Sequence, residues 1–207
     1  MKFLFTLAAL LGMATTVNYA QWNHVSEVNG AIYLSDGTEL LTRFAYHEKT
    51  QALSRKDRLT MEVFTTFHVD SFLFYDPALN WQRRFKKLEY QQQEQFFEVV
   101  APGRLEILRL KLPYNAPERI MTNELDRQAL NYRYFVYQDG ELSTLNGYNI
   151  KRLKTTHPQL WEKAKRYRRE HDFSFYKLPD KMQIIEQINH LFSDEGLVQV
   201  AADRKPN

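Results

Sequence analysis

The chain carries the residue types that catalysis and metal binding need, but few of the spacings. Its histidines (His24, His47, His68, His157, His171 and His190) are scattered, with no His-Glu-x-x-His pair and no clustered ligand spacing. His68 and Asp70 stand two apart, on one strand face if no bulge intervenes, with Asp76 further along. Imidazole and carboxylate together could bind a metal or move a proton, yet solvent-facing strand residues account for the pair more simply. Glu94 and Glu98 are carboxylates of the kind glycosidases use in pairs, and sequence alone does not set their separation. No serine sits in a Gly-x-Ser-x-Gly elbow and no glycine-rich phosphate loop exists. The chain has no cysteine, which removes thiolate nucleophiles, cysteine metal sites, disulfides and a lipoprotein anchor. The pattern predicts no catalytic residue, no metal and no cofactor.

Binding chemistry is better represented. Asn80-Trp81-Gln82-Arg83-Arg84-Phe85 mixes aromatic and basic residues after a strand and could present Trp81 on a loop. Exposed tryptophan beside arginine suits protein hot spots and sugar platforms; the plainer reading has Trp81 and Phe85 closing one end of a β-core. The second candidate is a basic helix carrying Lys163, Lys165, Arg166, Arg168 and Arg169 around Ala164 and Tyr167. Most such runs are solvated faces, and the functional alternative is an anionic envelope partner. Trp81, Arg83, Arg84, Lys165, Arg168 and Arg169 are thus the candidate binding residues.

The elements that must position them follow from local pattern. Met1-Lys2 precedes an apolar run from Phe3 to Ala14, and small and polar residues lead to Ala20-Gln21. That is the layout of a secretory signal peptide over residues 1–20, too short to span a bilayer comfortably. The expectation is an exported protein, periplasmic or extracellular, with no transmembrane span in the mature chain. A net charge of +3 leaves no field that argues for nucleic acid.

Residues 21–145 read as β-structure. Asp36-Gly37 and Asp139-Gly140 each separate two β-prone runs, and glycine accepts the positive φ of a hairpin turn. Pro102-Gly103 marks a third turn. Further strands fall at Leu59 to Phe64, Phe67 to Tyr75 and Arg84 to Tyr90, with a phase change near Asp70-Ser71 that a bulge would explain. Eight or nine antiparallel strands point to a curled sheet, roll or barrel-like domain. Residues 115–130 fit either a helix or a bridging loop.

Residues 146–193 turn helical. Thr156-His157-Pro158-Gln159 resembles a capping box, followed by Leu160, Trp161, Ala164 and Tyr167 at helical spacing. A second helix starts near Asp180, with Ile184, Ile185, Ile188, Leu191 and Phe192 on its buried face. Residues 194–207 read as a flexible tail. The predicted class is therefore α+β: an antiparallel β-rich domain followed by two amphipathic helices.

Four motifs occur together: Gly30-Ala31-Ile32-Tyr33-Leu34-Ser35-Asp36-Gly37, Phe72-Leu73-Phe74-Tyr75-Asp76, Phe96-Phe97-Glu98-Val99, and Tyr134-Phe135 followed by Gly140-Glu141-Leu142. In this order they resemble an uncharacterised group of exported Bacteroidota proteins that pair an N-terminal β-domain with C-terminal helices. The resemblance implies architecture and export and transfers no functional residue. The leading expectation is a non-catalytic binding module whose partner is an envelope protein or surface component. The alternative is a hydrolase acting on an envelope or extracellular glycan, for which a pocket with two convergent acids would speak. A small outer-membrane barrel fits poorly, because the strands are short and charged and polar helices follow.

Overall fold

The computed structural model describes residues 25–112 and 131–203, with side chains as far as Ser193. The expected signal segment 1–20 and the ambiguous stretch 115–130 lie outside the described residues. Ten antiparallel strands form one sheet: β1 Val28–Leu34, β2 Glu39–His47, β3 Ala52–Asp57, β4 Thr60–Thr65, β5 Val69–Asp76, β6 Trp81–Tyr90, β7 Gln93–Ala101, β8 Glu106–Lys111, β9 Tyr132–Gln138 and β10 Glu141–Thr144. Their spatial order is β10-β9-β8-β7-β6-β5-β1-β2-β3-β4. The sheet is open, since β4 and β10 end it without pairing to each other. Three helices follow: α1 Leu153–Thr156, α2 Pro158–Glu170 and α3 Leu178–Asp203. The class is α+β, as the sequence predicts, an antiparallel β-rich domain followed by helices, and its sheet is open.

The hairpins form where turn chemistry demands them. Asp139 and Gly140 both take positive φ, 49° and 86°, which matches the right-handed twist of β9 and β10. At the first turn Gly37 has φ 86° and the Thr38 N–H donates to Asp36 Oδ1 at 2.9 Å. The phase change near Asp70 is a bulge: Tyr33 faces Ser71 and Leu34 faces Val69, leaving Asp70 as the extra residue. Two expectations need correcting. β3 has no separate place in the sequence reading, because Ser54, Arg55 and Lys56 break apolar alternation, yet this strand bridges β2 and β4. Trp81 opens β6 instead of riding a loop, because its pairing with Asp76 extends the β5–β6 ladder.

The helices show the same mix of agreement and correction. Leu160, Trp161 and Ala164 are buried on α2, as are Ile184, Ile185 and Ile188 on α3. Thr156 does not cap α2. It ends α1, and its hydroxyl donates back to the Arg152 carbonyl at 3.3 Å. His157 precedes Pro158 and adopts φ −143°, ψ 71°, outside the helical region that a following proline disfavours, so it becomes the boundary residue. α3 starts at Leu178, two residues before Asp180, and its backbone stays helical to Asp203, beyond Ser193.

Two cores share one face of the sheet. The first gathers Ile32, Phe44, Tyr46, Leu53, Phe72, Phe85 and Phe96 from β1 to β7, with Phe72 and Phe85 stacked at 4.5 Å. It forms because β2 bends and carries β3 over that face. The β2–β3 turn is latched there by the Phe96 N–H, which donates to Gln51 Oε1 at 2.6 Å. The second core packs Ile184, Ile185, Ile188, Trp161 and Leu153 of the helices onto Ile107 and Val136 of the sheet. The opposite face of the C-terminal strands buries Phe97, Leu108 and Phe135.

Asn189 ties α3 to the β7–β8 turn. Its Oδ1 accepts from the Leu105 N–H at 2.9 Å and its Nδ2 donates to the Leu105 carbonyl at 2.9 Å. Both Leu105 groups are buried, so Asn189→Ala leaves a donor and an acceptor unpaired. We expect it to cost about 2–4 kcal/mol, read as a lower urea midpoint with an unchanged slope. A loss below 1 kcal/mol would mean that water replaces the amide.

A neutralised cleft at the sheet curl

The β2–β3 turn and the β5–β6 hairpin bound a cleft of about 720 Å³, lined among others by Tyr46, Glu48, Phe74, Asp76, Arg83 and Lys111. Strand alternation explains the set. Trp81, Arg83, Phe85 and Lys87 leave one face of β6, and their cross-strand neighbours Phe72, Phe74, Asp76, Phe96 and Glu98 leave it too. The phenylalanines enter the first core. The charged residues in step with them are drawn under the curl, where they must pair with one another.

Glu98 is the hub of that pairing. Arg83 reaches it with Nε at 3.0 Å and Nη2 at 2.8 Å, and Arg109 from β8 with Nε at 2.8 Å and Nη2 at 2.9 Å. Arg83 also donates to Glu48 at 3.1 Å and lies 3.6 Å from Asp76 Oδ2. Lys111 closes the far side of Glu48. The Arg83 guanidinium sits over the rings of Phe74 and Phe85 at 5.5 and 5.1 Å, and Arg109 over Tyr132 at 4.4 Å. Burial pushes the Glu98 pKa up, but hydrogen bonds and charge from Arg83 and Arg109 outweigh it and hold the carboxyl below its usual range. Burial likewise opposes the charge on Arg83, and its bonds to Glu98 and Glu48 more than restore it. Three carboxylates and three cations thus cancel, and Glu98 stays ionised.

Asp76 has a second task. Its Oδ1 accepts from the Ala78 and Leu79 N–H groups at 3.1 and 3.3 Å, fixing the β5–β6 hairpin. This hairpin presents Tyr75, Leu79 and Trp81 to solvent. Trp81 lies directly across from Asp76, a residue of the cleft wall, on the same strand face; its side chain is 56% exposed and does not itself line the cleft. Phe85, not Trp81, closes the core.

The candidate residues separate into three places. Trp81 and Arg83 share the cleft face, with Arg83 engaged by three carboxylates. Arg84 faces the other way, opposite Leu73, and donates to Gln82 Oε1 at 3.1 Å. Lys165, Arg168 and Arg169 ride on α2. The acids weighed from sequence also part company: Glu94 lies 3.8 Å from Lys87, while Glu98 belongs to the arginines. Asp70 takes Lys87 at 2.8 Å and the Ser35 hydroxyl at 2.6 Å, whereas His68 turns to Thr65. His47, on the cleft wall, places its Nε2 2.9 Å from the buried Ser54 Oγ. Among the described residues no three His, Cys, Asp or Glu converge on a metal position.

Sequence reading missed Glu48, Arg109 and Lys111. The available signal was parity: Arg83 is in step with Phe85, and Glu98 with Phe96, so burying those rings buries the charges. The chain matches no family model, no curated protein and no solved structure, and its functional reading rests on the geometry of this cleft.

Proposed function

We propose that this protein is an exported, non-catalytic binding module of the cell envelope, which captures an envelope protein or surface component at the cleft beside Trp81. One observation carries the reading: an exposed tryptophan is the cross-strand neighbour of Asp76, in the wall of a cleft whose charged residues already neutralise one another. A catalytic acid must exchange its proton during turnover, and Glu98 is held ionised by two arginines. Glu48 and Asp76 are engaged by Lys111, Arg83 and the hairpin backbone. Such a wall is stiff and keeps its shape, while Trp81 offers apolar area and a π-face without needing any reaction. Export is supported by the basic, apolar and small-residue succession of residues 1–20. No helix among the described residues is long and apolar enough to cross a membrane. A glycan hydrolase has less support, because it needs a carboxyl free to donate a proton between two acids.

The test is capture from envelope extract by the immobilised protein, read for proteins and for glycans. Trp81→Ala should weaken capture about tenfold or more and leave the melting temperature nearly unchanged, since the side chain is exposed. Arg84→Ala, on the opposite face, separates the two sides of the sheet and should leave capture intact. Equal loss from both changes would move the binding surface off the cleft. Recovery of shortened glycan would overturn the non-catalytic reading.

A further inference from the structure

The basic helix holds a second feature, independent of the cleft. Arg168 Nε is the one buried side-chain nitrogen or oxygen among the described residues that has no hydrogen-bond partner. The guanidinium of Arg168 is held by a ring instead of an acceptor: its Cζ lies 5.2 Å from the centre of Phe175. Phe175 stacks in turn on Trp161 at 5.7 Å and 18°, and Lys165 Nζ lies 5.9 Å from the Trp161 ring. Arg168 and Lys165 therefore bracket one aromatic stack, a single turn apart on α2. Arg169, four residues beyond Lys165, adds an exposed cation on the same side.

The acids nearby, Glu162, Glu170, Asp172 and Asp180, do not engage Arg168. Glu162 takes Lys165 at 3.1 Å. Asp172 follows the helix end on exposed backbone, and Asp180 is used by the Ser174 N–H at 2.9 Å. Neither bonds to Arg168. A buried Nε–H without an acceptor is costly, because it has lost water and gained nothing in return. Stacking fixes the guanidinium plane but leaves that N–H unmet.

We infer that Arg168, with Lys165 and Arg169, forms a binding site for a phosphate group, seated against the Trp161–Phe175 stack. Three cations approach from positions spread over one helical turn. A tetrahedral phosphate offers oxygens in several directions to meet them, whereas a carboxylate presents two in one plane. Tyr176, which follows Phe175 in the chain, adds an amphipathic ring that is 88% exposed. An amphipathic ring beside basic side chains suits a phosphate at a lipid headgroup as well as one free in solution.

Two probes distinguish the sources: inorganic phosphate at constant ionic strength, and vesicles of phosphatidylglycerol in phosphatidylcholine. Binding is read on the full chain from the Arg168 Nε–H resonance and by vesicle sedimentation. Phosphate should shift that resonance, and Arg168→Gln should weaken binding about tenfold. Lys165→Gln should weaken it about threefold; its side chain is 37% exposed, so this variant keeps the test open if Arg168→Gln fails to fold. Binding of both probes, or of vesicles alone, would support the site, the latter placing its phosphate on a membrane. A resonance indifferent to both probes, or affinity unchanged in both variants, would overturn it. None of these residues touches the cleft, so failure here leaves capture through Trp81 standing.

Discussion

Gly30→Ala should destabilise the sheet severely. Gly30 is central in β1, opposite Thr42 of β2 on one side and Phe74 of β5 on the other. A methyl group there would strike the Leu73 carbonyl oxygen inside contact distance, and would lie 2.9 Å from Phe74 Cβ and 3.0 Å from Phe44 Cε1. The obstruction is backbone, in a strand paired on both edges, and Phe44 is fully buried, so no flexible side chain can yield. We expect a loss above about 4 kcal/mol, a large share of the 5–15 kcal/mol that holds a domain of ordinary stability. Gly37→Ala is the contrast. Gly37 has φ 86° but nothing within 4 Å of an added Cβ, so only conformational strain of about 1 kcal/mol applies. Chemical denaturation of the two variants should differ sharply. Similar losses would mean that β1 does not lie between β2 and β5 in this register.

The second large effect is at Glu98. Glu98→Gln keeps the shape of the side chain, yet its amide nitrogen would point a donor at an arginine donor, leaving two half-buried cations partly unpaired. We expect a loss of about 3 kcal/mol, near the range seen when one partner is removed from a buried ion pair. Acid should reproduce part of it. The folded Glu98 pKa lies below its unfolded value, near the ordinary 4.5, so the unfolded chain takes up the proton first. The clamp's contribution is therefore complete above that unfolded value and drains away as the pH falls through the lower folded one. Denaturation at pH 7 and near pH 3 should show the gap between the native protein and Glu98→Gln narrowing in acid. A constant gap would mean that the glutamate charge contributes nothing.

Trp81 shows how far local pattern reaches. Its neighbourhood of aromatic and basic residues marked it for binding, and its exposure across from Asp76 of the cleft wall keeps that reading open. The adjacent arginines look alike in sequence and differ completely in the fold. Arg83 shares the parity of Phe85 and is pulled under the curl; Arg84 has the other parity and meets solvent. Alternation alone sorts them into two sets. It does not say which face is covered, because both faces of the C-terminal strands bury side chains. Glu98 was legible only as a carboxylate four residues from Glu94, and its actual partners come from two other strands.

Amino-acid order alone determined the hairpins at Asp36-Gly37 and Asp139-Gly140, the bulge at Asp70, and the buried stripes of α2 and α3. It also determined the α+β class, since each of these features depends on residues close in sequence: a turn needs its glycine, a helix face its three-to-four-residue period. Tertiary structure alone decided that the sheet stays open, that β2 bends to bring Glu48 over β6 and β8, and that a cleft forms beneath it. Glu48 meets Arg83 across 35 residues of chain and Lys111 across 63. No local preference encodes such a meeting; it follows from the summed twist of the strands and from burial of the phenylalanines that share a face with those charges.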